Sequence, residues 1–300
     1  MAQSHILVGA SVGAEDHPIV RRIGPTDLID ALRKGLDDFA AMPSHAVFLC
    51  VVYPLIGLVL AGLTLGYALL PLLFPMAAGF ALLGPLAALG IYELSRRRET
   101  SDNVSAADAF AVLRSPSIGA IMALGFLLML LFLVWMATAH AIYVANFGYG
   151  TPASVTQFLH DLIDTPQGWN LILVGNAVGF VFAVAALMVS VVSFPLLLDR
   201  EVGAAVAVLT SLRAVAANPF TMALWGLIVT LLLVAGSLPL FLGLPVVIPV
   251  LGHSTWHLYR KVVEPGSSPR ADYRPVTTSR HSAADFPAAL FASTPKDNQP

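Results

Sequence analysis

Charge is scarce in this 300-residue chain: 11% of its residues are Asp, Glu, Lys or Arg, against about a quarter in a soluble domain. The scarcity is also uneven. Residues 46–91 contain no charged side chain at all, and about 20 apolar residues suffice to cross a bilayer. Cysteine is nearly absent: Cys50 stands alone, which excludes an internal disulfide and any Cys-rich metal centre. Its apolar surroundings make it a small buried hydrophobe. The N-terminal apolar run Ile6-Leu7-Val8 is short and leads into Glu15-Asp16, so no cleaved signal is expected. No P-loop, GxSxG, HExxH or GxGxxG fingerprint occurs, and no acid pair lies within the apolar stretches. An enzyme is the least favoured class, and no cofactor is expected. A net charge of −2 says nothing about nucleic acid, and no nucleic-acid partner is expected.

Hydrocarbon is what the chain has: 57% hydrophobic residues and a mean hydropathy of +0.79. The pattern predicts an all-α polytopic membrane protein with six spanning helices, over roughly 46–69, 72–94, 117–145, 170–197, 219–240 and 243–260. Its first partner is therefore the lipid bilayer. Between the third and fourth spans, Thr151-Pro152 and Thr165-Pro166 bracket a short helix lying on the outer surface, with Trp169 as an interfacial anchor. All sixteen Lys and Arg fall on one side of this arrangement. Basic residues accumulate on cytoplasmic loops, so both termini are expected inside.

The basic-side connections repeat. Residues 26–43, 105–116 and 203–219 each carry Leu-Arg, at Leu32-Arg33, Leu113-Arg114 and Leu212-Arg213, and each runs to a proline before a membrane hairpin. In 26–43 the spacing puts Leu28, Ile29, Leu32, Leu36 and Phe39 on one face, opposite Asp30, Arg33, Lys34, Asp37 and Asp38. Ser105 and Asp108 make a capping box. In the return limbs, Pro85 precedes Arg96 and Pro249 precedes Arg260 by eleven residues in both cases. This aligns Tyr92 with Trp256, Glu93 with His257 and Leu94 with Leu258. A membrane domain over 25–264 thus divides into units 25–103, 104–201 and 202–264. The flanks 1–24 and 265–300 have too little apolar patterning to fold and are expected to be disordered cytoplasmic segments.

Four polar positions stand out as candidates: Glu93, His253, His257 and Asn176. Glu93 lies three and four residues before Arg96 and Arg97, which predicts an ion pair at a helix end. If the repeat is real, Glu93 and His257 lie at matching depth and could meet as a pH-sensitive latch. His253 and His257 share a helix face at i,i+4, but two imidazoles lack the ligand count of a closed metal site. No metal is expected. Asn176 sits between Gly175 and Gly179 and needs a hydrogen-bond partner within the bundle. Gly62-x-x-x-Gly66 in the first span and Gly175-x-x-x-Gly179 in the fourth permit close helix approach.

Gly79-Phe80, Gly84-Pro85, Gly90 and Tyr92-Glu93-Leu94-Ser95-Arg96-Arg97, with the earlier run Asp30-Ala31-Leu32-Arg33-Lys34-Gly35-Leu36-Asp37-Asp38, resemble the signature of a bacterial integral-membrane family known only as a domain of unknown function. The resemblance extends over about 20–264 and implies a six-helix protein of the bacterial inner (plasma) membrane. Some members carry the label cytochrome c oxidase subunit I. The spans here offer His140, His253 and His257, with His45 at a rim, fewer than a haem–copper core needs. The expectation is a non-catalytic membrane protein that scaffolds or assists another membrane complex, respiratory if the label has any meaning. The alternative is a small-molecule or lipid transporter.

Overall fold

The computed structural model describes residues 18–42, 70–101, 103–239 and 241–266. The expected first span, with His45, Cys50 and Gly62-x-x-x-Gly66, lies outside these residues, as do most of both flanks. The described chain is helical, with one isolated antiparallel bridge between Val20 and Val263.

Proline and short polar caps set most helix boundaries. Helix α1 (Pro25–Ala41) begins with proline in its first turn, and the Asp27 carboxylate accepts the Gly24 amide at 3.0 Å. After the 3-10 turn Leu70–Leu72 come α2 (Leu73–Leu82), α3 (Gly84–Ala87) and α4 (Leu89–Arg98). Pro85 has no amide to donate to the Ala81 carbonyl, which accounts for the break between α2 and α3. A 3-10 helix, Ala106–Arg114, follows, capped by Ser105 and Asp108 as the sequence predicts.

Helix α5 (Ile118–Phe147) ends at Gly148, whose φ of 73° suits glycine. Helix α6 (Val155–Asp164) is the short outer helix, capped by Ser154. Helices α7 (Pro166–Ser190) and α8 (Ser193–Asp199) form one limb interrupted at Val191-Val192. The interruption follows from Pro195, which cannot bond the carbonyl four residues back. The freed Val192 amide donates to Ser211 Oγ at 3.2 Å. Helices α9 (Ala204–Ala217), α10 (Pro219–Ser237) and α11 (Leu244–Val262) complete the chain.

Among the described residues, three helical stretches are long and apolar enough to cross a membrane: Ile118–Phe147, Pro166–Asp199 and Pro219–Ser237. The limbs expected at 72–94 and 243–260 depart from that standard. The first is split into α2, α3 and α4, and the second spends its final turns on polar side chains that are buried against protein.

The three basic-side helices pack in a ring. Each lies on the return limb of another unit: the 3-10 helix on α4, α9 on α8 and α7, and α1 on α11. The third contact joins the first unit to the last. A strap of residues 19–23 reinforces it, with the Arg21 amide donating to the Val262 carbonyl at 2.7 Å. The Ile23 amide donates to Asn218 Oδ1 at 2.8 Å.

Candidate functional site

Where the three return limbs end, their polar residues are buried under the ring. Two ionic clusters occupy the contacts made by α4 and α11.

Glu93 is fully buried, at 0% exposure. Arg96 holds it from Nε to Oε2 at 2.7 Å and from Nη2 to Oε1 at 2.8 Å. Arg97 Nε adds a third bond to Oε1 at 2.6 Å, and Arg97 Nη1 reaches Asp108 Oδ1 at 2.5 Å. The predicted i,i+3 and i,i+4 pairs therefore form, but beneath the 3-10 helix rather than at a wet helix end. Two-point binding of a carboxylate by guanidinium is the strong form of this contact.

The second cluster centres on Asp38, in the last turn of α1. Its Oδ2 accepts Ser95 Oγ at 2.6 Å and His257 Nε2 at 2.8 Å, and its Oδ1 accepts Arg98 Nη1 at 2.5 Å. Burial pushes the Asp38 carboxyl upward, but the hydrogen bonds from His257 and Ser95 outweigh it and hold the group below the usual carboxylate range. Proton counting then fixes the next link. Ser95 has one hydrogen and gives it to Asp38, so its 2.6 Å contact with His253 Nδ1 must be donated by the imidazole. His253 Nε2 is left as an acceptor, fully buried and without a hydrogen-bond partner among the described residues. An unsatisfied buried acceptor costs about 1–3 kcal/mol.

These positions revise the expected pairing. His257 meets Asp38, not Glu93, because α1 inserts between the two limbs' partners and supplies its own carboxylate. His253 and His257 do share a face, and both look onto Asp38, His253 from 3.8 Å. Asn176 does not join the bundle's polar groups. It is exposed, and its Nδ2 donates to the Ile172 carbonyl of its own helix at 2.7 Å. Gly175 likewise faces open space, while Gly179 packs under Trp135. His140 is exposed on α5, apart from the other two imidazoles in this network.

Asp199 is a further buried acid, on α8. It accepts Tyr259 Oη at 2.7 Å and Arg260 Nη1 at 3.3 Å. Trp256 Nε1 and Arg260 both reach Glu99. Lys261 bonds Asp27 at 3.2 Å and Asp30 at 2.8 Å, and hydrogen bonds set both acids below their ordinary values: chiefly the Gly24 amide for Asp27 and Lys261 for Asp30.

The proline-to-base alignment puts Arg97 and Lys261 at equivalent positions, and Asp108 and Asp27 are the third residues of their helices. Asp108–Arg97 and Asp27–Lys261 are thus the same bridge at two of the ring's three contacts. The third contact has no such pair among the described residues. There Ser193 Oγ donates to the Ala207 carbonyl at 3.1 Å.

Asp38, Ser95 and Asp199 were not among the residues singled out from sequence. A signal for Asp38 existed: Leu28, Ala31, Gly35 and Asp38 are spaced as one helical stripe, and all four are buried.

Residues 73–199 match a family described as "Predicted integral membrane protein (DUF2189)". The match is the uncharacterised membrane family that the sequence resembles, and its description names no oxidase activity. It runs from α2 to the end of α8, so it contains Glu93, Ser95 and Asp199. Asp38, His253 and His257 fall outside it. No curated protein and no solved structure shows a significant match.

Proposed function

We propose that the protein is a six-span, non-catalytic component of a bacterial inner membrane, with both ends in the cytoplasm, that scaffolds or assists another membrane complex. The observation that carries this reading is the fate of the buried charges. Glu93, Asp38 and Asp199 each bind cationic or hydroxyl groups brought by other turns or other units. Such groups knit elements together, and an acid bound by internal donors at both oxygens, as Glu93 and Asp38 are, is poorly placed to act on a substrate. The product is a stiff basic-side platform with apolar helices beneath it.

A transporter of small molecules or lipid is the second reading, favoured by the interrupted limbs at Val191-Val192 and around α3 and by the unpartnered His253 Nε2. Purification from native membranes in mild detergent separates the two. A stoichiometric companion complex that loosens in the Asp38→Asn variant supports scaffolding. Isolation without a companion, together with solute or lipid flux in proteoliposomes, overturns it.

A further inference from the structure

The three ring helices share more than Leu-Arg. Each carries an apolar residue three positions before the leucine: Ile29-Asp30-Ala31-Leu32-Arg33, Phe110-Ala111-Val112-Leu113-Arg114 and Leu209-Thr210-Ser211-Leu212-Arg213. The structure gives the first, third and fifth of these positions matching surroundings. Ala31, Val112 and Ser211, just before each leucine, are buried against a return limb. The leading residues face outward, with Ile29 55%, Phe110 57% and Leu209 42% exposed. Arg33, Arg114 and Arg213 are exposed as well.

These arginines differ from their neighbours in having no side-chain partner among the described residues. Arg21, Lys34, Arg96, Arg97, Arg98, Arg200, Arg260 and Lys261 all form ion pairs. The side chains of Arg33, Arg114 and Arg213 make no ion pair or hydrogen bond among the described residues, and nor does that of Arg22 in the strap. One unit after another, then, presents a free guanidinium beside an exposed apolar side chain. Beside Leu209 and Leu212 the surface is also grooved: an open groove of about 450 Å³ lies between α5 and α9, walled by Ala123, Leu127, Val208, Leu209 and Leu212. Two of its wall residues belong to the repeated pentapeptide.

We infer that Arg33, Arg114 and Arg213 are three equivalent ligands for the phosphate of anionic phospholipids in the basic-side leaflet. The leading Ile29, Phe110 and Leu209 sit in the acyl region below, and the α5–α9 groove holds a chain of the lipid bound at Arg213. Guanidinium matches phosphate oxygens two at a time. A helix with an apolar face and a basic edge lies at headgroup depth. The inference needs only that the protein is embedded in a membrane, so it stands whether the role is scaffolding or transport.

The test is lipid retention by the full chain. Protein purified in mild detergent with mixed phosphatidylglycerol and phosphatidylcholine of identical chains is examined by native mass spectrometry. Phosphatidylglycerol adducts in preference to phosphatidylcholine are expected. Each of Arg33→Gln, Arg114→Gln and Arg213→Gln should weaken phosphatidylglycerol retention about fivefold, the worth of one basic residue at an anionic surface. Arg22→Gln, equally exposed but outside the pentapeptides, should leave it unchanged. Leu209→Ser should release lipid without altering net charge. Equal retention of the two lipids by the wild type overturns the inference. So does an Arg22→Gln loss as large as the others, which would mean unspecific charge attraction. Loss of a co-purifying protein instead of lipid in the triple variant would assign these faces to a protein partner and overturn it too. The singly substituted chains remain informative if the triple variant does not fold.

Discussion

Asp38 shows how one carboxylate organises its surroundings. It is bound by groups from α4 and α11, far away in sequence, yet its only local mark is a place on the stripe Leu28-Ala31-Gly35. Asp38→Asn keeps the shape and removes the charge. Because Arg98 is 31% exposed and regains water, the loss should fall at the lower end for a broken buried pair, about 3 kcal/mol. The pH dependence has a definite sign. The folded carboxyl titrates below its unfolded value, so its contribution is complete above the ordinary carboxylate range and is lost as pH falls through and below it. Thermal melts of wild type and Asp38→Asn should therefore differ most near neutral pH and converge in acid. A constant gap at every pH would show that the charge does not matter. Pairing Asp38→Asn with His257→Gln should give a coupling of about 0.5–3 kcal/mol, whereas Glu93→Gln with His257→Gln should be additive to about 0.5 kcal/mol. The reverse ordering would restore the Glu93–His257 latch.

At the scale of elements, helix α1 shows what was legible and what was not. Its extent was legible from its amphipathic period, but the buried face is rotated away from the apolar one: Ile29 and Leu36 are exposed, while Leu28, Ala31, Gly35 and Asp38 are buried. In water the apolar face of a helix turns inward. Beside lipid the hydrocarbon outside is as good a solvent as the core, so small and polar residues take the protein contact. The same physics explains Asn176, whose need for a partner was met by its own helix backbone, and α11, whose buried polar face lowers its hydropathy. Proline marks the breaks at α3 and before α8, yet Pro75 and Pro249 sit inside unbroken helices, so where a proline interrupts a limb depends on its surroundings too. Close approach depends on a neighbour and was not readable. A Cβ on Gly35 would stand 2.0 Å from Ser254 Oγ and 2.7 Å from the Ser254 amide, whereas a Cβ on Gly175 meets nothing. Gly35→Ala should thus destabilise by about 1–3 kcal/mol through overpacking, and Gly175→Ala should be neutral or stabilising by up to about 1 kcal/mol. Equal melting temperatures for the two variants would mean that α1 does not dock on α11 as described.

The whole molecule closes on itself. The bridge Asp27–Lys261, the Asp38–His257 bond and the strap at residues 19–23 all join the beginning of the membrane domain to its last helix. Each ring helix covers a return limb, and without the α1 contact the polar face of α11 would lack its cover. The Leu-Arg-to-proline connections and the proline-to-base spacing were legible in the chain; the order in which the ring helices cover the limbs was hidden, since no local pattern encodes it. Deleting residues 1–42 should strip α11 of Asp38 and of the Gly35 contact, leaving His253, Ser254 and His257 uncovered. That protein should fail to accumulate in membranes, and co-expressing residues 1–42 as a separate fragment should rescue it. Charge reversal separates docking from insertion. Asp27→Lys should lower the melting temperature, and adding Lys261→Gln should recover part of the loss, because it removes the like-charge contact without setting an acid against Asp30. A 1–42 deletion that accumulates and melts like the wild type, or an Asp27→Lys/Lys261→Gln double variant no better than Asp27→Lys alone, would show that α1 does not seal α11.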